Sequence, residues 1–312
     1  MPYSNLHLIE EASRRISKYL LPTPVVSFPA LDKALGHSIY LKLDSKQVTG
    51  AFKIRAVLNH LLILQEKSIL PKKIVGYTTG NHGLAMGYCT SLFNIHARIY
   101  VPNYVSIFKA ELIKQYPVEL IYTNTRKEAE ERALSDAEQG FYYLHPSNSE
   151  ASIAGSGTMC YEALGQVDNI DAIFASCGGG GLLSGTYMAS KLLSPSTLVY
   201  GSEPCNANDA YLSVKSGQIY KFKSSPNTIA DGLKALSVSE KTYEYLKKLD
   251  DIILVDDDKI NYWTKFCYET LNITVEPSCA INLEAARIWS AQQTTKKRIL
   301  VLISGKNYNY IG

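Results

Sequence analysis

The sequence predicts an α/β protein whose mostly parallel sheets are flanked by helices. Three observations carry this. Short apolar runs alternate with amphipathic segments, three of the strand-to-helix turns are unusual, and 312 residues suffice for two compact units. The alternation begins with a strand at Ile74–Thr79 and a helix at His82–Phe93. It continues with a strand Ala97–Val101, a helix Ser106–Gln115, a strand Glu119–Tyr122, a helix Arg126–Gln139 that stops at Gly140, and a strand Phe141–His145. This βαβ rhythm spans about 73–150. After a loop it resumes with a helix from about 152, a strand Ala172–Ser176, a helix Leu182–Leu192 and a strand Leu198–Gly201. Later come a strand Ile252–Val255, helices from about 258 and from Ser278, and a last strand Arg298–Ile303.

Composition narrows the function. The formal charge of +3 comes from 32 basic and 29 acidic side chains, well mixed along the chain, so neither nucleic acid nor a charged membrane surface is the expected partner. The expected ligand is a small molecule. The N-terminal stretch interleaves charges with apolar residues at helical spacing and lacks the form of a signal peptide. No window reaches the roughly 18 apolar residues of a membrane helix. Cys89, Cys160, Cys177, Cys205, Cys267 and Cys279 form no CxxC pair and read as reduced, mostly buried thiols. The expectation is a cytoplasmic protein.

In parallel sheets, ligands sit beyond the carboxyl ends of the strands, so the strand-to-helix turns matter most. Thr78-Thr79-Gly80-Asn81-His82, Cys177 through Gly181, and Ser304-Gly305-Lys306-Asn307 stand out. Gly178-Gly179-Gly180-Gly181 follows a strand and opens a helix. Its backbone N–H groups can converge on an anion, with the helix N-terminus adding partial positive charge. The plain alternative is a tight packing turn. A dinucleotide site is the sharper rival: Gly179, Gly181 and Ser184 approach GxGxxG, and Glu203 lies near where a ribose-binding acid belongs. That pattern fails at its third glycine and leaves Lys53 and the other turns unexplained. Phosphate binding is the better reading.

Taken alone, Lys53 reads as a solvated surface lysine. Its setting, Gln47-Val48-Thr49-Gly50-Ala51-Phe52-Lys53-Ile54-Arg55, places it between a glycine turn, an aromatic ring and a helix start, where partial desolvation would ease deprotonation. This segment resembles the lysine motif TGSFKxRGA of the serine/threonine dehydratase and serine racemase family of pyridoxal-phosphate enzymes. TTGNHG is similar to that family's SSGNHG turn, GGGGLLSG to its phosphate loop and SGKN to its terminal SGGN. HPSNSEASIAGSGT (145–158), EPCNAND (203–209), TIADGLK (228–234) and EPSCA (276–280) also resemble family segments. The likeness runs from about Leu21 to Asn307, with the motifs in the family's order.

The resemblance implies a two-domain fold of the tryptophan synthase β type. Residues 1–72 and 151–312 would form a discontinuous large cofactor-binding domain, with 73–150 as the small domain. It also implies a homodimer, the cofactor pyridoxal 5'-phosphate, and β-elimination of L-serine or L-threonine to a 2-oxo acid and ammonia. Serine racemase and hydroxyaspartate dehydratase are alternatives, and a cofactor-binding protein with little catalysis a remote one. By resemblance, Lys53 forms the Schiff base with the cofactor and removes the substrate's α-proton. Phe52 packs against the cofactor ring, Asn81 bonds its 3-hydroxyl, and Gly178, Gly179, Gly180, Gly181 and Leu182 hold its phosphate. Ser304 meets the ring nitrogen, where a hydroxyl, unlike a carboxylate, does not keep that nitrogen protonated. Thr78, Thr79, Gly80, Asn81 and His82 receive the substrate carboxylate, and Thr79 is the candidate proton donor on the face opposite Lys53. Glu203, the carbonyl of Ala207 and Asp209 match a Mg²⁺ or Ca²⁺ site of the racemase branch, an oxygen-only set suited to those ions. Otherwise Asp209 or Asn208 simply caps the following helix.

Four positions depart from the family pattern: Ala51 for serine, Ala56 and Cys279 for glycine, and Lys306 for the middle glycine of SGGN. Lys306 places a cation either beside the ring or in solvent. The chain ends soon after SGKN, so no regulatory C-terminal domain and no isoleucine feedback are expected.

Overall fold

A computed structural model describes residues 5–309; residues 1–4 and 310–312, the outermost parts of the expected large domain, lie outside the described residues. The strands are β1 (Val25–Val26), β2 (Ser38–Leu43), β3 (Lys73–Tyr77), β4 (His96–Pro102), β5 (Val118–Thr123), β6 (Tyr142–Tyr143), β7 (Ala172–Ser176), β8 (Leu198–Pro204), β9 (Asp251–Val255) and β10 (Arg298–Ile303). They form a six-stranded sheet in the order β1-β2-β10-β7-β8-β9 and a four-stranded sheet in the order β5-β4-β3-β6. Every pairing is parallel except that of β1 with β2.

The period-2 alternation of the central strands loads both faces of the larger sheet. Ile299, Val301 and Ile303 of β10, with Phe174 of β7, enter a core with Trp263 and Trp289, from helices Asp257–Glu269 and Pro277–Ser290. Leu300, Leu302 and Ile173 face the opposite way, onto helices Glu150–Leu164 and Gly181–Leu193. These two helices cross in close contact at Gly157 and Gly185; a Cβ on Gly157 would stand 2.6 Å from the Gly185 carbonyl oxygen. Any side chain there would force the helices apart.

On the smaller sheet, Ile74, Ala97, Ile99 and Val101 pack on one face with helices Asn81–Phe93 and Lys53–Glu66. Val75, Tyr77 and Tyr100 pack on the other with helix Arg126–Glu138. Helix Lys53–Glu66 also contacts helix Glu150–Leu164, so it lies between the two sheets and is buried on nearly every side. Among the described residues no helix is long and apolar enough to cross a membrane.

The expected elements sit close to where the pattern puts them, with two informative differences. The first strand ends at Tyr77 rather than Thr79, because the chain turns at Thr78, whose Oγ1 accepts the Gly80 N–H at 2.8 Å. The strand read at Phe141–His145 is reduced to Tyr142–Tyr143. His145 Nδ1 accepts the N–H groups of Ser147 (3.1 Å) and Asn148 (2.8 Å), turning the chain away from the sheet.

Candidate active site

Lys53 is the first residue of helix Lys53–Glu66, and its position is fixed from both sides. Upstream, the Phe52 N–H donates to the Ser304 carbonyl (2.8 Å) and the Lys306 N–H to the Gly50 carbonyl (2.9 Å), tying the lysine loop to the chain beyond β10. Downstream, the fully buried Arg55 grips Asp44 through two hydrogen bonds (2.6 and 2.9 Å) and Glu162 through two more (2.6 and 2.8 Å). Burial works against the Arg55 charge, but these carboxylates outweigh it and raise the guanidinium pKa. With its helix so held, Lys53 Nζ donates to the Pro146 carbonyl at 3.0 Å and lies 5.0 Å from the Phe52 ring centroid. Desolvation, helped by the charge of Arg126, lowers the lysine pKa to about 8.

A cavity of about 650 Å³ opens in front of this amine, lined by all three turns singled out in the sequence. At the end of β7 the chain enters Gly178–Gly181, with Gly180 in the left-handed region (φ +82°). Side chains here have no room. A Cβ on Gly178 would come within 2.8 Å of the Gly232 carbonyl oxygen, on Gly179 within 2.6 Å of Ser147 Oγ, and on Gly180 within 2.7 Å of Thr242 Cβ. Only backbone fits, and it leads into the thirteen-residue helix Gly181–Leu193, whose N-terminus favours an anion. The Thr78–His82 turn likewise precedes helix Asn81–Phe93. Gly80 (φ +151°) crosses the Lys109 stem so closely that a Cβ would overlap it. The Thr79 hydroxyl donates weakly to the Asp231 carbonyl at 3.4 Å. His82 donates from Nε2 to the Leu144 carbonyl (2.9 Å), leaving Nδ1 buried without a partner. Burial, with Lys53 nearby, lowers its pKa to about 3, so the ring is neutral.

Asn81, Ser304, Lys53 and the glycine turn all line the one cavity. Its glycine cradle, softened lysine and neutral Ser304 fit pyridoxal phosphate: backbone donors for a phosphate, an amine for the aldehyde and a hydroxyl for the ring nitrogen. Lys306 is exposed and takes no part in lining the cavity. The cation at the departed glycine therefore faces solvent.

Several lining residues escaped the sequence reading. Glu276 Oε1 accepts from Asn81 Nδ2 (2.7 Å) and from the Asn307 N–H (3.0 Å), and Oε2 pairs with Lys109 at 3.0 Å. Lys109 also pairs with Asp231 at 2.8 Å, while Ser278 Oγ accepts the Gly232 N–H at 2.9 Å. Burial opposes the Lys109 charge, but its two carboxylates outweigh that and raise its pKa. Arg126, on the small-sheet side, is another. Glu276 lies in the EPSCA stretch and Asp231 in TIADGLK, so a signal existed for the acids; for Lys109 and Arg126 there was none.

Away from the cavity, Glu203 accepts the backbone N–H groups of Ala210 (3.1 Å) and Tyr211 (2.7 Å). Asp209 and Ala207 are fully buried beside it, and both Asp209 carboxylate oxygens lack a partner. Burial raises the Asp209 pKa to about 7; burial and Asp209 together raise that of Glu203. Among the described residues no cluster of three or more His, Cys, Asp or Glu forms a metal site. Two orphaned oxygens beside a second carboxylate and a carbonyl still fit a hard cation.

Comparison with known proteins agrees with this geometry. The profile of the family described as "Pyridoxal-phosphate dependent enzyme" matches residues 16–305. Serine racemase of Oryza sativa subsp. japonica is 35% identical over 311 residues, covering 97% of this chain and 91% of the relative. L-threo-3-hydroxyaspartate ammonia-lyase of Saccharomyces cerevisiae is 33% identical over 301 residues, covering 95% and 91%. Among solved structures, a threonine deaminase of T.th. superposes with a TM-score of 0.91 at 32% identity, over 98% of this chain and 99% of that one.

Proposed function

Because the chain belongs to the family of pyridoxal-phosphate-dependent enzymes, within its ammonia-lyase and racemase relatives, we propose that it eliminates water from L-serine or L-threonine to give a 2-oxo acid and ammonia. The observation that carries the reading is that Lys53, the glycine turn, the Thr78–His82 turn and Ser304 meet in one cavity. Bound there, pyridoxal phosphate would act as the electron sink that makes the substrate's α-C–H acidic. Phe52 would pack on its ring, Asn81 would face its 3-hydroxyl, and the backbone of Gly178–Leu182 would hold its phosphate.

The protein residues supply the rest. A lysine with its pKa lowered to about 8 is available as a base near neutral pH, and the Pro146 carbonyl aims its amine. Lys53 takes the α-proton, the β-hydroxyl departs, and water enters later to release ammonia. N–H groups at the start of helix Asn81–Phe93 bind and orient the substrate carboxylate. Ser304 would offer the ring nitrogen a hydroxyl and no carboxylate, which would favour prompt loss of the β-hydroxyl over chemistry that needs a long-lived carbanion.

Two alternatives keep support from relatives: racemisation, which the rice protein's name describes, and elimination from hydroxyaspartate, which the yeast protein's name describes. Racemisation needs a donor opposite Lys53, and Thr79 offers a hydroxyl. The remote reading of a cofactor-binding protein with little catalysis rests on the cation at Lys306 alone, and that residue is exposed. We also propose that Glu203, Ala207 and Asp209 hold Mg²⁺ or Ca²⁺, that 73–150 forms the small domain, and that the enzyme is a cytoplasmic homodimer. Orphaned Asp209 oxygens support the first and the separate four-stranded sheet the second; the last rests on resemblance.

The test is keto-acid release across L- and D-hydroxy-amino acids, with chiral analysis of residual serine, on wild type and Thr79→Ala. Keto acid from L-serine or L-threonine that persists in Thr79→Ala supports elimination. D-serine as the main product, lost in Thr79→Ala, replaces it with racemisation.

A further inference from the structure

Two polar side chains project from one face of helix Lys53–Glu66. Lys53 and His60 are two helical turns apart, so they point the same way, about 10 Å from one another along the axis. Both reach residues 142–152, the stretch that carries the chain from the smaller sheet back to the larger unit. Lys53 meets it at the Pro146 carbonyl, 3.0 Å away. His60 meets it on either side of that point. Its Nε2 lies 2.8 Å from the Tyr142 hydroxyl, and its Nδ1 lies 3.2 Å from Ser149 Oγ and 3.4 Å from Ser152 Oγ.

These partners belong to different units. Tyr142 stands on β6, in register with Ile74 of β3, and its ring meets the imidazole edge-on at 5.7 Å. Ser149 is the N-cap of helix Glu150–Leu164, its Oγ accepting the Ser152 N–H at 3.0 Å. That helix is locked against helix Lys53–Glu66 beside it: Asn59 donates to the Ala151 carbonyl at 2.7 Å, and a Cβ on Gly155 would stand 2.5 Å from the Arg55 carbonyl oxygen. His60 interrupts the apolar run Val57–Leu64, and these polar partners offset its burial. Burial lowers its pKa to about 4, so near neutral pH one ring nitrogen donates and the other accepts.

We propose that His60 is a positioning residue for the reaction: by tying Tyr142 to Ser149 it fixes the span between them, and so holds the Pro146 carbonyl where it receives the Lys53 amine. His60 does not line the cavity and acts only through this span. The proposal rests on the reading of Lys53 as the base. If the span loosens, the amine loses its acceptor and water enters beside it. Arg126, the charged neighbour, and the neutral His82 and His145 stay in place. Burial is the first cause of the lowered lysine pKa, so rehydration sets the sign and the pKa rises.

The test titrates the Lys53 amine in the full chain freed of cofactor. Competitive acetylation with peptide mapping, from about pH 6 to about pH 11, gives the midpoint independently of the rate. Wild type has a midpoint of about 8. His60→Leu moves it up to about 9, a roughly tenfold gain in proton affinity. Tyr142→Phe, which removes one hydroxyl and keeps the ring, moves it the same way by less. His60→Gln, whose amide can still reach Tyr142, also moves it less than His60→Leu does. In the holoenzyme the acidic limb of kcat for L-serine shifts in the same order. A histidine that only packs would lower the Tm and leave the midpoint alone, so unmoved midpoints in His60→Leu and Tyr142→Phe overturn the proposal. If no hydroxy-amino acid yields keto acid, the elimination reading falls, and the midpoints still decide the role of His60.

Discussion

Lys109→Met removes the charge at the centre of the site while keeping an unbranched stem beneath Gly80. Lys109 and Glu276 are both nearly inaccessible, with side-chain exposures of 4% and 3%, and Asp231 is 32% exposed. Breaking a buried ion pair by deleting one partner costs about 3–5 kcal/mol. The Asp231 half is partly screened, and Glu276 keeps its bonds from Asn81 and Asn307, so the lower end, about 3 kcal/mol, is expected. At about 2.1 cal/mol/K per residue, 312 residues have an unfolding entropy of about 0.65 kcal/mol/K, which converts that loss into a Tm lowered by about 5 °C. Because the methionine stem still supports Gly80, the turn that orients the substrate keeps its shape. Calorimetry of Lys109→Met, Glu276→Gln and the double variant separates the charge pair from the packing. Each single change lowers the Tm, and the double variant is less damaged than their sum, because a neutral amide in place of the Glu276 carboxylate no longer needs a cation. Strict additivity, or a Tm within about 1 °C of wild type in Lys109→Met, would refute the ion-pair reasoning.

Other predictions follow from the same site. Lys53→Ala abolishes the covalent cofactor link and lowers turnover by at least about 10²–10⁴-fold, the usual worth of a general base, while the fold persists. Peptide mapping after borohydride reduction checks it, and label on another lysine removes Lys53 from its role. Mg²⁺ or Ca²⁺ raises the wild-type Tm, because an ion bound only to the folded state stabilises it by mass action, and Glu203→Ala or Asp209→Ala weakens that rise. No response to either ion, or to Mn²⁺, leaves both residues structural. Burial lowers the pKa of His60 and His145 to about 4 and of His82 to about 3. Folded-state values below the usual 6.5 mean that the unfolded chain takes up protons first. Stability from these groups is therefore intact above about pH 6.5 and falls towards about pH 4, by up to about 1.4 kcal/mol per pH unit for each. Thermal melts of the apoprotein from about pH 7.5 to about pH 4.5 measure this; a Tm that holds steady over that range excludes it.

What could be read from the sequence was local chemistry. A run of four glycines at a strand end is costly unless backbone must approach something closely, and a Cβ at any of Gly178, Gly179 or Gly180 would meet an atom within 2.8 Å. Likewise β7 and β10 declare themselves by apolar runs, because central parallel strands are buried on both faces. What could not be read was any residue whose role lies in a partner distant along the chain. Helix Ile107–Lys114 shows this most directly: Ile107 is 81% exposed and Lys109 4% exposed, the reverse of what hydrophobicity assigns to each. Lys109 is buried because Asp231 and Glu276, 122 and 167 residues away, offset its desolvation. β2 escaped for the same reason. Its Lys42 is fully buried and interrupts the apolar pattern, held there by the Thr23 carbonyl at 2.6 Å and by the Glu162 carboxylate, 120 residues on, at 2.9 Å. Arg126 stands apart from both. It lines the cavity through a terminal nitrogen on the Lys234 carbonyl at 2.9 Å, 108 residues away, so nothing in its own stretch of sequence marks the position.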